Sequence, residues 1–307
     1  MGPEGPGPLF MTLFRGLSAF PITPADAQGQ VNTLALRSLL DRLVEADVDS
    51  IGLLGSTGSY AYLSRFERRR AVDAAIDQVA GRLPVMVGIG ALRTDDAIAF
   101  GQDARDAGAD ALLLAPMSYI PLTDDEVFEH FKAVARATDL PLCIYDNPAA
   151  THFSFKPSLV GRLAQIPTIV ALKSPAPGAD AVIRHLEESR AVTYPGFSSG
   201  YSVDRHAMEA MLGGGDAWYS VLGGLFPEPC MQILRAVHAG EAAQARLLNA
   251  RLEPLWSLFT EFSSLRVVHA AASLLGLCKG MPPRPILPLP DEARQRIGEA
   301  LDLLGLV

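Results

Sequence analysis

The 307-residue chain holds only four lysines, and one is placed unlike the others. Lys173 closes the apolar run Ile169-Val170-Ala171-Leu172 and is followed by Ser174-Pro175. If that run is a strand, alternation sets Lys173 on the face of Ala171 and Ile169, and an inward face carries its ammonium into an interior. A desolvated lysine gives up its proton more readily than a solvated one and becomes an amine nucleophile toward carbonyls. The competing reading is a lysine that snorkels to solvent or pairs with a carboxylate. Lys132 lies in a charged stretch, Lys156 beside Pro157, and Lys279 ahead of Gly280.

One apolar run earlier, Leu142-Cys143-Ile144-Tyr145-Asp146-Asn147-Pro148 places Tyr145 at a strand end. The same alternation lets its phenol point inward, toward Lys173 on a neighbouring strand. A phenol there can shuttle a proton during imine formation and carbon–carbon cleavage; a core tyrosine with a satisfied hydroxyl is the bland alternative. Gly55-Ser56-Thr57-Gly58-Ser59 forms a turn whose hydroxyls and amides can converge on a carboxylate or phosphate, or else is an ordinary strand-to-helix connection. Gly196-Phe197-Ser198-Ser199-Gly200 could serve a phosphate and reads more simply as a turn. Gly88-Ile89-Gly90 lacks the rest of a dinucleotide fingerprint. The six histidines show no metal-ligand spacing and no GxSxG elbow occurs, so no metal and no cofactor are expected.

Positioning such groups takes a scaffold, and the hydropathy pattern supplies one. Short apolar runs recur at 17–22, 50–55, 84–90, 111–115, 140–145, 169–173, 192–195 and 217–221. Several are continuous rather than alternating, as strands covered on both faces are. The segments between them start like helices. Ser64-Arg65-Phe66-Glu67 and Thr123-Asp124-Asp125-Glu126 are capping boxes, Thr94 precedes two aspartates as an expected N-cap, and Pro157 suits a first turn. Eight strand–helix units predict an α/β fold, a (β/α)8 TIM barrel, with a doubly wound open sheet as runner-up.

The expected organisation is an N-terminal extension over 1–13, a barrel over 14–225 and a C-terminal helical region over 226–307. That last region carries helical spacing at 231–237, 242–258 and 265–275, then a proline-rich link at 282–290. Residues 1–10 are Gly/Pro-rich without the basic and apolar regions of a signal peptide. No apolar run is long enough to span a bilayer, and a formal charge of −8 argues against nucleic acid. Cys143, Cys230 and Cys278 are scattered and odd in number, which fits a reducing, cytoplasmic setting.

Taken together, Gly55-Ser56-Thr57-Gly58, Ile144-Tyr145-Asp146-Asn147-Pro148 and the run ending in Lys173 resemble the dihydrodipicolinate synthase / N-acetylneuraminate lyase family. The likeness extends from about residue 14 to the C-terminus. It implies a class I aldolase-type barrel, a homo-oligomer (tetramer or dimer), that holds a 2-oxo acid such as pyruvate as an imine. By resemblance, Lys173 is the Schiff-base lysine, Tyr145 the acid/base group, Ser56 the hydroxyl relaying protons to it, and Thr57 the holder of the 2-oxo acid carboxylate. Tyr219 falls where the family contributes a backbone contact to that acid.

Departures from the pattern bear on the second substrate. Pro116-Met117-Ser118-Tyr119 puts Ser118 where the synthase carries a tyrosine that reaches a neighbouring subunit. Ala150 stands where it carries an arginine for a substrate carboxylate, and Ser59 replaces a glutamate. Losing the arginine removes a bidentate anchor. The expectation is therefore a divergent family member, a lyase or aldolase acting on a 2-oxo acid by cleavage, condensation or dehydration, with Ser118, Ala150, His152 and the strand-seven loop shaping the rest of the pocket. The alternatives are a silent or sensory paralogue that binds a small 2-oxo acid and a sugar-phosphate enzyme using residues 196–200.

Overall fold

The computed structural model describes residues 13–306; the extension expected over 1–13 lies outside them but for its last residue. Eight parallel strands close into a barrel in chain order: β1 (Gly16–Ala19), β2 (Ser50–Leu53), β3 (Val85–Gly88), β4 (Ala111–Leu114), β5 (Leu142–Tyr145), β6 (Ile169–Pro175), β7 (Ser198–Ser202) and β8 (Ala217–Ser220). The barrel is closed by β1 pairing with β8, Gly16 to Ala217 through Ala19 to Ser220. The open-sheet runner-up is thereby excluded.

Helices follow the strands: α1 (Thr33–Glu45), α2 (Arg65–Val79), α3 (Thr94–Ala107), α4 (Asp124–Thr138), the short α5 (Pro148–Thr151) with α6 (Pro157–Leu163), α7 (Ala179–Val192) and α8 (Asp204–Leu212). Local chemistry sets their starts. Thr123 and Glu126 form a reciprocal capping box on α4. Ser64 caps α2 by accepting from the Glu67 amide, but the Glu67 carboxylate is not turned back to close a box. It accepts instead from the Val31 amide at 2.7 Å and pairs with Arg70. Thr94 is not the cap of α3, because that position falls on Arg93. The Thr94 hydroxyl bonds to His130 Nδ1 at 2.9 Å, a partner on the next helix that local spacing does not reveal.

The strands separate two apolar layers. Leu17, Ile51, Val85, Leu112, Ile144 and Leu172 face the helices in one large cluster. Phe20, Met86, Leu113, Cys143, Tyr145, Ala171 and Tyr219 fill the barrel interior. Ile169 belongs to the outer layer, although strict alternation would set it beside Ala171 and Lys173. The reason is an irregularity in pairing: Leu142 opposes Ile169 while Cys143 opposes Ala171, so Val170 is skipped.

Strand seven differs most from expectation. The run at 192–195 is the end of α7 and its exit, and the strand is the polar Ser198-Ser199-Gly200-Tyr201-Ser202. Residues 196–200 therefore lead into a strand at its N-terminal end, away from the face where barrel sites form. This removes the phosphate-loop reading. After β8 come α9 (Pro227–His238), α10 (Ala242–Arg251), α11 (Glu253–Phe262), α12 (Ser264–Leu274) and α13 (Asp291–Leu304). The helix expected over 242–258 is broken near Leu252, where Pro254 suits only a first turn.

Candidate active site

Register brings the two central residues together. Tyr145 pairs with Lys173 across β5 and β6, at the C-terminal ends of both strands. Lys173 is 4 % exposed. Its Nζ lies 3.8 Å from the ring centre of Phe20, 4.1 Å from Tyr145 and 5.6 Å from Tyr219. Aromatic faces attract the ammonium. No carboxylate among the described residues lies within ion-pair distance of it, whereas Lys132 and Lys156 are bound to Glu129 and Asp124. No salt bridge has to break before this amine can attack a carbonyl.

Phe20 occupies its place because β2 and its turn have no side chains there. A Cβ on Gly52 would sit 2.2 Å from the Phe20 ring, and one on Gly55 2.4 Å from it. Those glycines make the slot for the aromatic floor beneath Lys173. Tyr219 meets Phe20 edge to face at 6.0 Å. Desolvation pushes the Tyr219 phenol well above its ordinary range, and burial pushes the Cys143 thiol, 3.7 Å away, up to about 12. Both groups stay neutral in the barrel interior.

The turn after β2 supplies the hydroxyls. Ser56 Oγ and the Tyr145 hydroxyl are 3.1 Å apart, and Asn147 Nδ2 donates to the same phenol oxygen at 3.0 Å. Thr57 is buried beside them. Ser56, Thr57, Tyr145, Lys173 and Tyr219 all line one cavity of about 360 Å³, so the five residues singled out by sequence converge. Ser118 and His152 do not line it: Ser118 sits in an exposed loop, its hydroxyl bonded to the Ile120 carbonyl. Ala150 lines a smaller neighbouring cavity of about 230 Å³, with Ser59, Tyr60 and Met117.

Several cavity residues escaped the sequence reading. Ser202, Arg205 and His206, from the end of β7 and the start of α8, form one wall. They are held by Asp204, whose buried carboxylate accepts from Trp218 Nε1 at 2.8 Å and from the Val221 and Leu222 amides at 3.0 and 2.9 Å. Val203 beside it has φ 66°, unusual for a β-branched residue and evidence of a tightly determined loop. The opposite rim is Trp256, Phe259, Thr260, Ser264 and Leu265. The C-terminal helices thus complete the cavity rather than only decorating the barrel. Among the described residues no group of three or more His, Cys, Asp or Glu side chains is placed to hold a metal ion, and no helix is long and apolar enough to cross a membrane.

A closed eight-stranded barrel with an unpaired buried lysine beside a strand-end tyrosine defines an enzyme of the class I aldolase type, a lyase. Comparison with known proteins narrows this. The model of the dihydrodipicolinate synthetase family matches residues 13–303, and the chain belongs to that family. A 4-hydroxy-tetrahydrodipicolinate synthase of Methylococcus capsulatus is 34 % identical over 286 residues, 93 % of this chain and 97 % of the relative. The crystal structure of a dihydrodipicolinate synthase from Agrobacterium tumefaciens superposes with a TM-score of 0.94 at 54 % identity, covering 96 % of this chain and 99 % of that one. A putative dihydrodipicolinate synthetase from Pseudomonas aeruginosa gives 0.87 at 30 % identity, with coverage of 94 % and 99 %.

Proposed function

We propose that the protein activates a 2-oxo acid, pyruvate or a pyruvate-derived substrate, as an imine on Lys173. The reaction that follows is cleavage, condensation or dehydration at the adjoining carbon. One observation carries the reading: a buried amine without a carboxylate partner shares a cavity with a phenol and two hydroxyls. Attack of Nζ on the carbonyl and loss of water give an iminium, which draws electrons from the neighbouring bond and needs no further cofactor. Tyr145 moves the protons with Ser56, Thr57 holds the carboxylate, and Tyr219 gives the acid a backbone contact.

The relatives are named for 4-hydroxy-tetrahydrodipicolinate synthesis; we read this chain as a divergent member. Ala150 offers no guanidinium to an acidic partner substrate, and Ser118 lies outside both cavities. The cavity's outer wall of Ser202, Arg205 and His206 selects the partner instead. The protein works as a homo-oligomer, tetramer or dimer, in the cytoplasm. Supporting an assembly, Phe66, at the start of α2, and Leu92, Tyr119 and Ile120, on the connections after β3 and β4, are 69, 65, 95 and 66 % exposed.

The test is intact mass after incubation with pyruvate and borohydride, beside Lys173→Ala. A reduced pyruvyl adduct on the parent and none on the variant is expected. Equal labelling of both proteins, or none on the parent with any of a panel of 2-oxo acids, would overturn the reading.

A further inference from the structure

The phenol of Tyr145 has one proton and two hydrogen-bond partners, and the nature of the second partner decides where that proton points. Asn147 Nδ2 is 3.0 Å from the phenol oxygen, and an amide nitrogen can only donate. The phenol proton is left for Ser56 Oγ at 3.1 Å. Were the amide oxygen in that place, it would take the proton away from Ser56 and break the chain of hydroxyls.

The surroundings give that chain a direction. Ser56 and Asn147, with Leu265, line both the lysine cavity and the smaller cavity containing Ala150. They form the partition between the two. On the far side stands Ser59, whose Oγ is buried and has no partner among the described residues. Asn147 is fixed in turn: its carbonyl caps α5, accepting from the Ala150 and Thr151 amides at 2.9 Å each and from the Thr151 hydroxyl at 3.0 Å.

We propose that Asn147 is a positioning residue that aims the Tyr145 proton at Ser56, and that the relay discharges into the side cavity rather than into the substrate cavity. This rests on the imine reading above. When the pyruvyl iminium becomes an enamine, a C–H bond at the methyl carbon breaks and its electron pair forms the new C=C bond, neutralising the iminium. The proton goes to the Tyr145 oxygen as the phenol proton passes to Ser56. The Ser56 proton passes to a water in the side cavity, which leaves as hydronium. Charge and atoms balance with water as the only co-reactant. All three groups come from one chain.

The experiment compares methyl-proton exchange of pyruvate in D2O, followed by NMR, with borohydride trapping in the same enzyme. Asn147→Asp keeps the shape but exchanges a donor for an acceptor, Asn147→Leu removes both, and Asn147→Gln restores an amide. The final extent of trapping after long incubation, which reads the presence of the Lys173 imine rather than the rate of proton transfer, is expected to stay within about twofold of the parent in all three. Exchange falls roughly 10- to 100-fold in the Asp and Leu variants and recovers in part with Gln. Exchange at the parent rate in Asn147→Asp, or equal loss of trapping and exchange, would overturn the proposal. A parent that neither traps nor exchanges would remove the imine reading itself, and this proposal with it.

Discussion

Gly52→Ala should damage both the barrel and the chemistry, through one ring. The added methyl would lie 2.2, 2.4 and 2.5 Å from three atoms of Phe20. Carbon atoms in contact sit about 3.5–4.0 Å apart, so the ring has to retreat by roughly 1.5 Å. It has no room: Phe20 is 1 % exposed, Lys173 Nζ lies 3.8 Å over its face, and Tyr219 meets its edge. Overpacking of this kind costs about 1–3 kcal/mol. A displacement of the amine by about 1 Å costs on the order of 100-fold in rate. Denaturant midpoints read the first effect, and the initial rate of borohydride trapping with pyruvate reads the second. Adding Phe20→Leu removes the distal ring atoms, so the double variant should be more stable than the sum of the singles implies, by about 1–2 kcal/mol. A Gly52→Ala protein with parental stability and trapping rate, or strictly additive effects, would refute the reasoning.

Further outcomes follow from other contacts. Tyr145→Phe keeps the ring beside Lys173 but loses the hydroxyl, and pyruvate exchange should fall about 10²- to 10⁴-fold with trapping less affected. Equal exchange would contradict the relay. Burial pushes the Asp146 carboxyl up to about 6 from 3.8. The folded protein thus binds the extra proton between those values, and stability falls as pH rises through that window. Asp146→Asn should gain on the parent by about 1–2 kcal/mol at about pH 7.5 and by little near pH 4, once solvent screening is allowed for; denaturant midpoints at both values check it. Arg68 is buried, donates to the Tyr60 and Gly90 carbonyls at 2.9 and 3.1 Å, and lies 4.0 Å over Phe100. Arg68→Met orphans those carbonyls and should cost about 3 kcal/mol, with calorimetric melting as the readout.

What was legible in the sequence is what local pattern encodes. Continuous apolar runs between capped amphipathic segments give the barrel, and alternation sets Lys173 on the face of Ala171, though the skipped Val170 puts Ile169 on the other one. Strand seven was hidden because its residues are serines, glycine and one tyrosine: Gly200 leaves room for the Tyr219 ring inside the barrel, while Ser199 and Tyr201 bond outward to Ser189 and His185 on α7. The run at 192–195 mimicked a strand because the helix it ends buries its own apolar residues. Phe20 could not be read as the floor of the site, since its meaning depends on glycines in another strand. The Ser56–Tyr145 contact spans 89 residues of sequence, and the rim from Trp256 to Leu265 comes from helices that look like an appendage until they are packed. Asn147 was visible within its motif, but a hydrogen bond to the residue two positions earlier follows from the turn into α5, not from residue type.

The most direct measurement of the central claim is the location of the pyruvyl group after borohydride reduction. The chain offers four lysines, Lys132, Lys156, Lys173 and Lys279, so peptide mapping by tandem mass spectrometry has few places to find it. The adduct should map to Lys173 alone, at close to one per chain. An adduct spread over the exposed lysines, or one that spares Lys173, would contradict an imine at the buried amine.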